Sequence, residues 1–336
     1  MRIFFDPRQR AHAPEKELHN GSFVPFAEHP GRIDAMLAAL GPVEAPADHG
    51  ESPLLRVHPR EYLDFVRTAH AQWRAAGREG DAAGYVWPVV GRRPLALDRI
   101  DAKLGRYSYD ASTPVADGTW EAAYWSAQAA LSGLDAVLGG ERNAFALCRP
   151  PGHHCGADYA GGYCYLNSAA IAAEAAVAAG AKRVAILDVD YHHGNGTQDI
   201  FLARGDVLFV SIHADPRTDY PFYWGHADEV GEGEGVGATL NLPLPRGTGL
   251  AGFEPALEAA LRRIGDFGAD LLICSYGADT FVGDPISFFE LETRDYPVIG
   301  RRIAALGLPT LIVMEGGYAV DALGANVAAF LSGFED

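Results

Sequence analysis

Four short apolar segments of this chain each run straight into a cluster of residues able to do chemistry, and this pattern limits the fold more than any other feature. Residues 144–148 lead into Arg149-Pro150-Pro151-Gly152-His153-His154, and residues 183–187 into Asp188-Val189-Asp190-Tyr191-His192-His193-Gly194-Asn195. Residues 271–276 lead into Gly277-Ala278-Asp279-Thr280, and residues 310–314 into Glu315-Gly316-Gly317-Tyr318. Further strands are expected at 2–5 and 207–212. Apolar residues at helical spacing predict helices over 31–40, 60–76, 120–138, 166–179, 251–264, 295–306 and 321–331. Buried strands alternating with helices imply a parallel sheet covered on both faces. In such sheets ligands bind beyond the carboxyl ends of the strands, so one sheet would bring all four clusters to the same rim.

The chain has 336 residues, about half of them apolar, which is enough for a large core without disulfides. Residues 1–336 are read as one catalytic domain. Residues 77–117 show no strong periodicity and are long for a loop, so they are expected to be a functional insertion. Cys148, Cys155, Cys164 and Cys274 form no CxxC pair, and reduced thiols in a cytoplasm are expected. No segment reads as a signal peptide or approaches the ~20 apolar residues of a membrane span. A net charge of −17 argues against nucleic-acid or membrane partners and would attract cations.

Asp188, Asp190 and His192 alternate along an extended segment and can face one side together. A carboxylate and an imidazole two residues apart make a good half-site for a divalent metal, and Asp279 can add a second carboxylate. Two Asp and one His leave a position open for water, as catalytic zinc requires. Ferrous iron is also compatible with these ligands. The tandem His153-His154 follows a Pro-Pro-Gly turn, and two adjacent buried histidines are costly unless each is hydrogen-bonded. Tyr318 follows two glycines, where a hydroxyl could donate to a developing oxyanion. His193, His213 and His226 are read as structural or surface residues.

The segments RPPGHH, GGYCYLN, ILDVDYHHGNGTQ, SYGADTFVGDP and MEGGY together resemble the histone deacetylase family. That resemblance implies the arginase–deacetylase fold, a single α/β domain with a parallel eight-stranded sheet flanked by helices. Arginases share the fold but carry a two-manganese DxHxD pattern, which the DVDYHH segment does not match. The N-terminal KELHNGSFVPF, the long insertion and DPISFF look most like the acetylpolyamine amidohydrolases within the family.

Carried over, the resemblance makes Asp190, His192 and Asp279 zinc ligands and Tyr318 the oxyanion stabiliser. His153 and His154 become the tandem pair, with Asp188 the partner of His153 and Asn195 the partner of His154. Asp188 and Ser211 resemble donors to a structural potassium ion. Tyr163 and Tyr220 resemble the aromatic walls of the substrate channel, and Arg32 an arginine near the path of acetate release. The relatives are homodimers whose long early loop shapes a narrow channel. They carry two glutamates there; Asp101 stands at one such position and Ser112 at the other. Asp101 is therefore the expected partner of a cationic substrate, with Glu17, Asp110 and Asp117 as further candidates.

Two carboxylates and one neutral imidazole roughly cancel the charge of Zn²⁺, so the bound water is only weakly acidified and a general base is needed. His154, whose Asn partner adds no full charge, is that base. These readings predict a zinc-dependent amidohydrolase acting on acetylated polyamines or similar small cationic acetylated amines. The alternative is a protein acetyl-lysine deacetylase. A silent binding module is disfavoured, because every catalytic position is filled.

Overall fold

The computed structural model describes residues 1–89 and 95–335. Its strands in chain order are β1 (Arg2–Phe4), β2 (Lys16–His19), β3 (Ser22–Pro25), β4 (Asn143–Ala146), β5 (Val184–Asp188), β6 (Val207–Ala214), β7 (Thr239–Leu244), β8 (Leu271–Tyr276) and β9 (Thr310–Met314). Seven of them form one parallel sheet in the order β1-β4-β9-β8-β5-β6-β7, and β2 and β3 form a separate antiparallel hairpin. The sheet thus has seven strands among the described residues, where eight were expected. Every residue of β4, β5, β6, β8 and β9 is buried, as strands covered on both faces require.

The β2–β3 hairpin and a short helix, Asn195–Phe201, were not expected from the sequence, and two further elements escaped its pattern for physical reasons. Strand β7 reads Thr-Leu-Asn-Leu-Pro-Leu and lies at the sheet edge, where a proline costs no ladder hydrogen bond and four of the six residues stay partly exposed. The expected long loop contains a two-turn helix, Ile100–Tyr107, and is tied back by a bridge between Ala82 and Val115. Residues 90–94 of that loop lie outside the described residues.

Helices pack closely on both faces because small residues let them approach. A side chain at Gly133 of the Thr119–Leu138 helix would come within 2.6 Å of Leu311 on β9. In the Val320–Ser332 helix, a Cβ at Gly324 would lie 2.2 Å from the backbone oxygen of Ala35. The core is continuous from β1 to the last helix, and all four cysteines are buried free thiols within it. No described helix is long and apolar enough to cross a membrane.

Candidate active site

The carboxyl ends of β4, β5, β8 and β9 lie next to one another through the sheet order, and the four predicted clusters do meet on one rim. Asp190, His192 and Asp279 converge there, all three buried, with ligand atoms within 4.8 Å of one another. His192 Nδ1 lies 3.0 Å from Asp279 Oδ2 and 3.4 Å from Asp190 Oδ1. Tetrahedral zinc with bonds of about 2.0–2.1 Å separates its ligands by about 3.3 Å, and both separations from His192 are of that size. Burial and the Asp190 carboxylate push Asp279 up to about 7, a repulsion that a divalent cation between them would relieve. A second group of ligand-type residues, His153, Cys164 and Glu315, is taken up internally. The Glu315 carboxylate accepts from the Gly152 and His153 amides at 2.6 and 3.1 Å and from Ser275 Oγ at 3.1 Å.

The tandem histidines are held differently. His153 Nδ1 lies 2.9 Å from Asp188 Oδ2, and His154 Nδ1 lies 2.7 Å from Asn195 Oδ1. Burial disfavours a charged His153, but Asp190 and Asp188 outweigh it and raise its pKa to about 10. Burial, together with His153 and His192 alongside, holds His154 well below the usual histidine range. Tyr159 fixes the Asn195 orientation: its hydroxyl donates to Asp199 at 2.6 Å and receives the Asn195 amide at 3.4 Å. Asn195 Oδ1 therefore accepts, His154 Nδ1 carries the proton, and Nε2 is left with its lone pair.

A cavity of about 390 Å³ opens onto this rim, with His154, His192, Tyr163, Tyr220, Tyr318 and Ile286 among its walls. Tyr220 stands edge-on to His154 and His192, at 5.1 and 6.1 Å between ring centres. Tyr163 stands edge-on to Tyr318 at 5.6 Å and packs with it and Phe26, whereas Tyr220 packs with the histidines. Each wall is fastened by an acid. Tyr163 Oη donates to Glu17 Oε1 at 3.0 Å, and Tyr220 Oη donates to Asp110 Oδ2 at 2.9 Å. Gly162 must be glycine: its φ is +53°, and a Cβ would lie 2.2 Å from the His154 ring. Burial keeps the Tyr318 phenol protonated, far above the usual tyrosine range.

Arg32 is wholly buried behind Tyr318, its guanidinium carbon 5.0 Å from the ring centre. It donates to the backbone oxygens of Gly317 and Glu315 at 2.7 and 2.6 Å and to Glu28 Oε1 at 2.6 Å. Ser211 sits opposite Asp188 in the β5–β6 register, and its hydroxyl lies 2.8 Å from His213 Nδ1.

Asp101 lies apart from the cavity of its own chain. Its carboxylate is clamped by Arg78 and by Arg99 at 2.8 Å, which hold it down at about 2. It faces a separate surface depression together with Gln72 and Asp98, away from the cavity at the rim. Asp117 is fully exposed. Glu17, Asp110 and Ser112 are the loop and hairpin residues that the structure brings to the cavity or its walls. The sequence pattern did not single out Glu315 or Asp284 as position-setting acids. The Asp-Pro step at 284–285 was the one local sign of a fixed turn.

A family model for the histone deacetylase domain matches residues 26–334. Acetylpolyamine amidohydrolase 2 of Pseudomonas aeruginosa is 50% identical over 340 aligned residues, covering 100% of this chain and 99% of the relative. The acetylpolyamine amidohydrolase of Mycoplana ramosa is 47% identical over 338 residues, covering 99% of each. A crystal structure of acetylpolyamine aminohydrolase from Burkholderia pseudomallei superposes with a TM-score of 0.95 at 44% identity, covering 99% of this chain and 98% of that one.

Proposed function

The chain belongs to the histone deacetylase family and is a deacetylase hydrolase, and from that premise we propose that it is a zinc-dependent amidohydrolase of acetylated polyamines or similar small cationic alkyl amines. The observation that carries this reading is the position of the Asp190–His192–Asp279 group beside a cavity walled by Tyr163 and Tyr220. The similarity to acetylpolyamine amidohydrolases along the whole chain supports the substrate class. The single catalytic domain is part of the same proposal.

Asp190, His192 and Asp279 would hold the zinc, with ferrous iron the other compatible ion. When bound, the ion supplies Lewis acidity, which makes water a better nucleophile and the acetyl carbonyl a better electrophile. His154 Nε2 takes the proton of the attacking water and later returns it to the leaving amine. His153, charged through Asp188 and Asp190, stabilises the negative charge that develops beside it. The Tyr318 hydroxyl donates to the carbonyl oxygen as that oxygen becomes anionic. Tyr163 and Tyr220 grip the alkyl stem. With Asp101 clamped elsewhere, Glu17 and Asp110 behind those walls are the partners offered to the distal ammonium.

Arg32 adjoins a buried polar region where Gln9, His12 Nε2 and Glu28 Oε2 keep unpartnered atoms, which supports an exit path for acetate. The Asp188–Ser211 pair supports a structural potassium site. Exposed Tyr85, Val86, Trp87, Val89 and Leu95 on the early loop support a homodimer formed there. A cytoplasmic location accords with four buried reduced thiols. Acetate release from N-acetylcadaverine, N-acetylputrescine and an acetyl-lysine peptide tests the substrate class. Higher kcat/KM on the diamines supports it, and a preference for the peptide overturns it.

A further inference from the structure

We propose that Asp284 is a positioning residue that fixes the backbone of Tyr318, so that the turnover supplied by the Tyr318 hydroxyl depends on the Asp284 carboxylate. The proposal rests on the reading of Tyr318 as oxyanion donor.

Asp284 lies five residues beyond Asp279, on the loop that follows β8. Its side chain is almost fully buried. Both oxygens are occupied by donors. Oδ2 accepts from the Tyr318 amide at 2.7 Å and the Ala319 amide at 3.2 Å. Oδ1 accepts from the Ile286 amide at 3.1 Å and Ser287 Oγ at 3.3 Å. No arginine or lysine ion pair accompanies it among the described residues. A buried carboxylate without a cation is a costly way to fill space.

The carbonyls of the segment it grips are held by Arg32, on Glu315 and Gly317 at 2.6 and 2.7 Å, and by the Ala278 amide, on Gly316 at 2.9 Å, but the amides of Gly316, Tyr318 and Ala319 depend on two carboxylates. At one end the Gly316 amide donates to Asp190 Oδ2 at 2.9 Å. Gly317 then turns with φ +125°, where a Cβ would meet Leu323 and Ala278 at 2.9 and 3.0 Å. The two amides bound by Asp284 follow directly, before the helix Val320–Ser332 begins. The amides of the turn are therefore pinned on one side by Asp190 and on the other by Asp284. These amide bonds set where the Tyr318 Cα–Cβ bond points, and with it the reach of the hydroxyl into the cavity. Misplacing a catalytic group by about 1 Å can cost about 10² in rate.

The same loop also walls the cavity. Ile286 packs with Tyr163 and Tyr318, and Pro285 and Phe288 line the cavity. Asp284 thus joins the wall that meets the substrate's stem to the residue that meets its carbonyl. An amide cannot replace the carboxylate, because all four partners are donors. In either orientation the NH₂ of an asparagine would face two of them.

A plain structural role, as a cap on the following helix, predicts a different outcome. The test is a double-mutant cycle of Asp284→Asn and Tyr318→Phe, with kcat and KM for N-acetylcadaverine, bound zinc and Tm measured for each protein. Asp284→Asn should lower kcat by about 10- to 100-fold with KM nearly unchanged and one zinc retained, the pattern of a lost transition-state contact. In the Tyr318→Phe background the same change should alter kcat by less than about 2-fold, because coupled residues are not additive. Asp284→Glu should recover part of the loss, and Ser287→Ala, which touches only Oδ1, should leave kcat unaltered. An equal loss in both backgrounds, or a fall in Tm with kcat preserved, overturns the proposal. If Asp284→Asn does not fold, Asp284→Glu carries the same cycle. A Tyr318→Phe enzyme with wild-type kcat sinks the oxyanion reading itself, an outcome distinct from additivity.

Discussion

His154 Nδ1 meets the amide oxygen of Asn195 at 2.7 Å, whereas the neighbouring His153 Nδ1 meets the carboxylate of Asp188 at 2.9 Å. The two imidazoles are adjacent in sequence and 4.1 Å apart between ring centres, yet only one has a full negative charge behind it. A carboxylate partner favours imidazolium and an amide does not. The pair is thereby divided into a cation and a neutral imidazole.

Asn195→Asp should erase that division. The added charge raises the pKa of His154, so a larger fraction of it is protonated at any given pH. The acid limb of the kcat/KM profile should move to higher pH. His154→Ala should lose more turnover than His153→Ala at every pH. A pH profile of Asn195→Asp that overlays the wild type would contradict the assignment of His154 as base.

Glu17 ties stability to substrate binding. Burial pushes its carboxyl up to about 7, against the pull of Tyr163 and the Ala27 amide, with Asp110 and Glu28 adding to the rise. An acid raised in the folded state binds its proton more tightly there than in the unfolded chain. Stability therefore falls as pH rises from about 4.5 through 7, by up to about 3 kcal/mol. Glu17→Gln removes that loss. Its Tm should exceed the wild type at pH 8 and match it near pH 4.5, while KM for cationic acetylated diamines rises. A Tm difference independent of pH would show that the charge of Glu17 is not what burial opposes.

Asp101 should behave as a structural residue. It holds Arg78 and Arg99 against the Ile100–Tyr107 helix. Asp101→Asn should lower Tm and leave the ratio of kcat/KM for cationic and neutral acetyl amines unchanged. A selective rise in KM for the cationic substrate would return Asp101 to the binding site.

The sheet was legible because β4, β5, β8 and β9 are apolar runs that end in chemistry. Strand β7 was not, since an edge strand with Asn241 and Pro243 has no such run. The residues proposed for metal binding and proton transfer were legible for the same reason as the strands: they occupy strand ends that one parallel sheet must bring together. What the sequence could not show is which way a side chain on an irregular segment points. Asp101 and Asp110 lie nine residues apart on one early insertion. One turns to two arginines and the other to Tyr220. The hold of Asp284 on Tyr318 spans 34 residues, and no local pattern announces it.

The most direct test of the account is acetate release from N-acetylcadaverine by enzyme stripped of metal and then titrated with zinc, alongside Asp279→Ala. The account predicts no turnover in the stripped enzyme and recovery that saturates at one zinc per chain. Asp279→Ala should show neither stoichiometric zinc nor activity. Full turnover in the stripped enzyme, or wild-type zinc binding and turnover in Asp279→Ala, would contradict it.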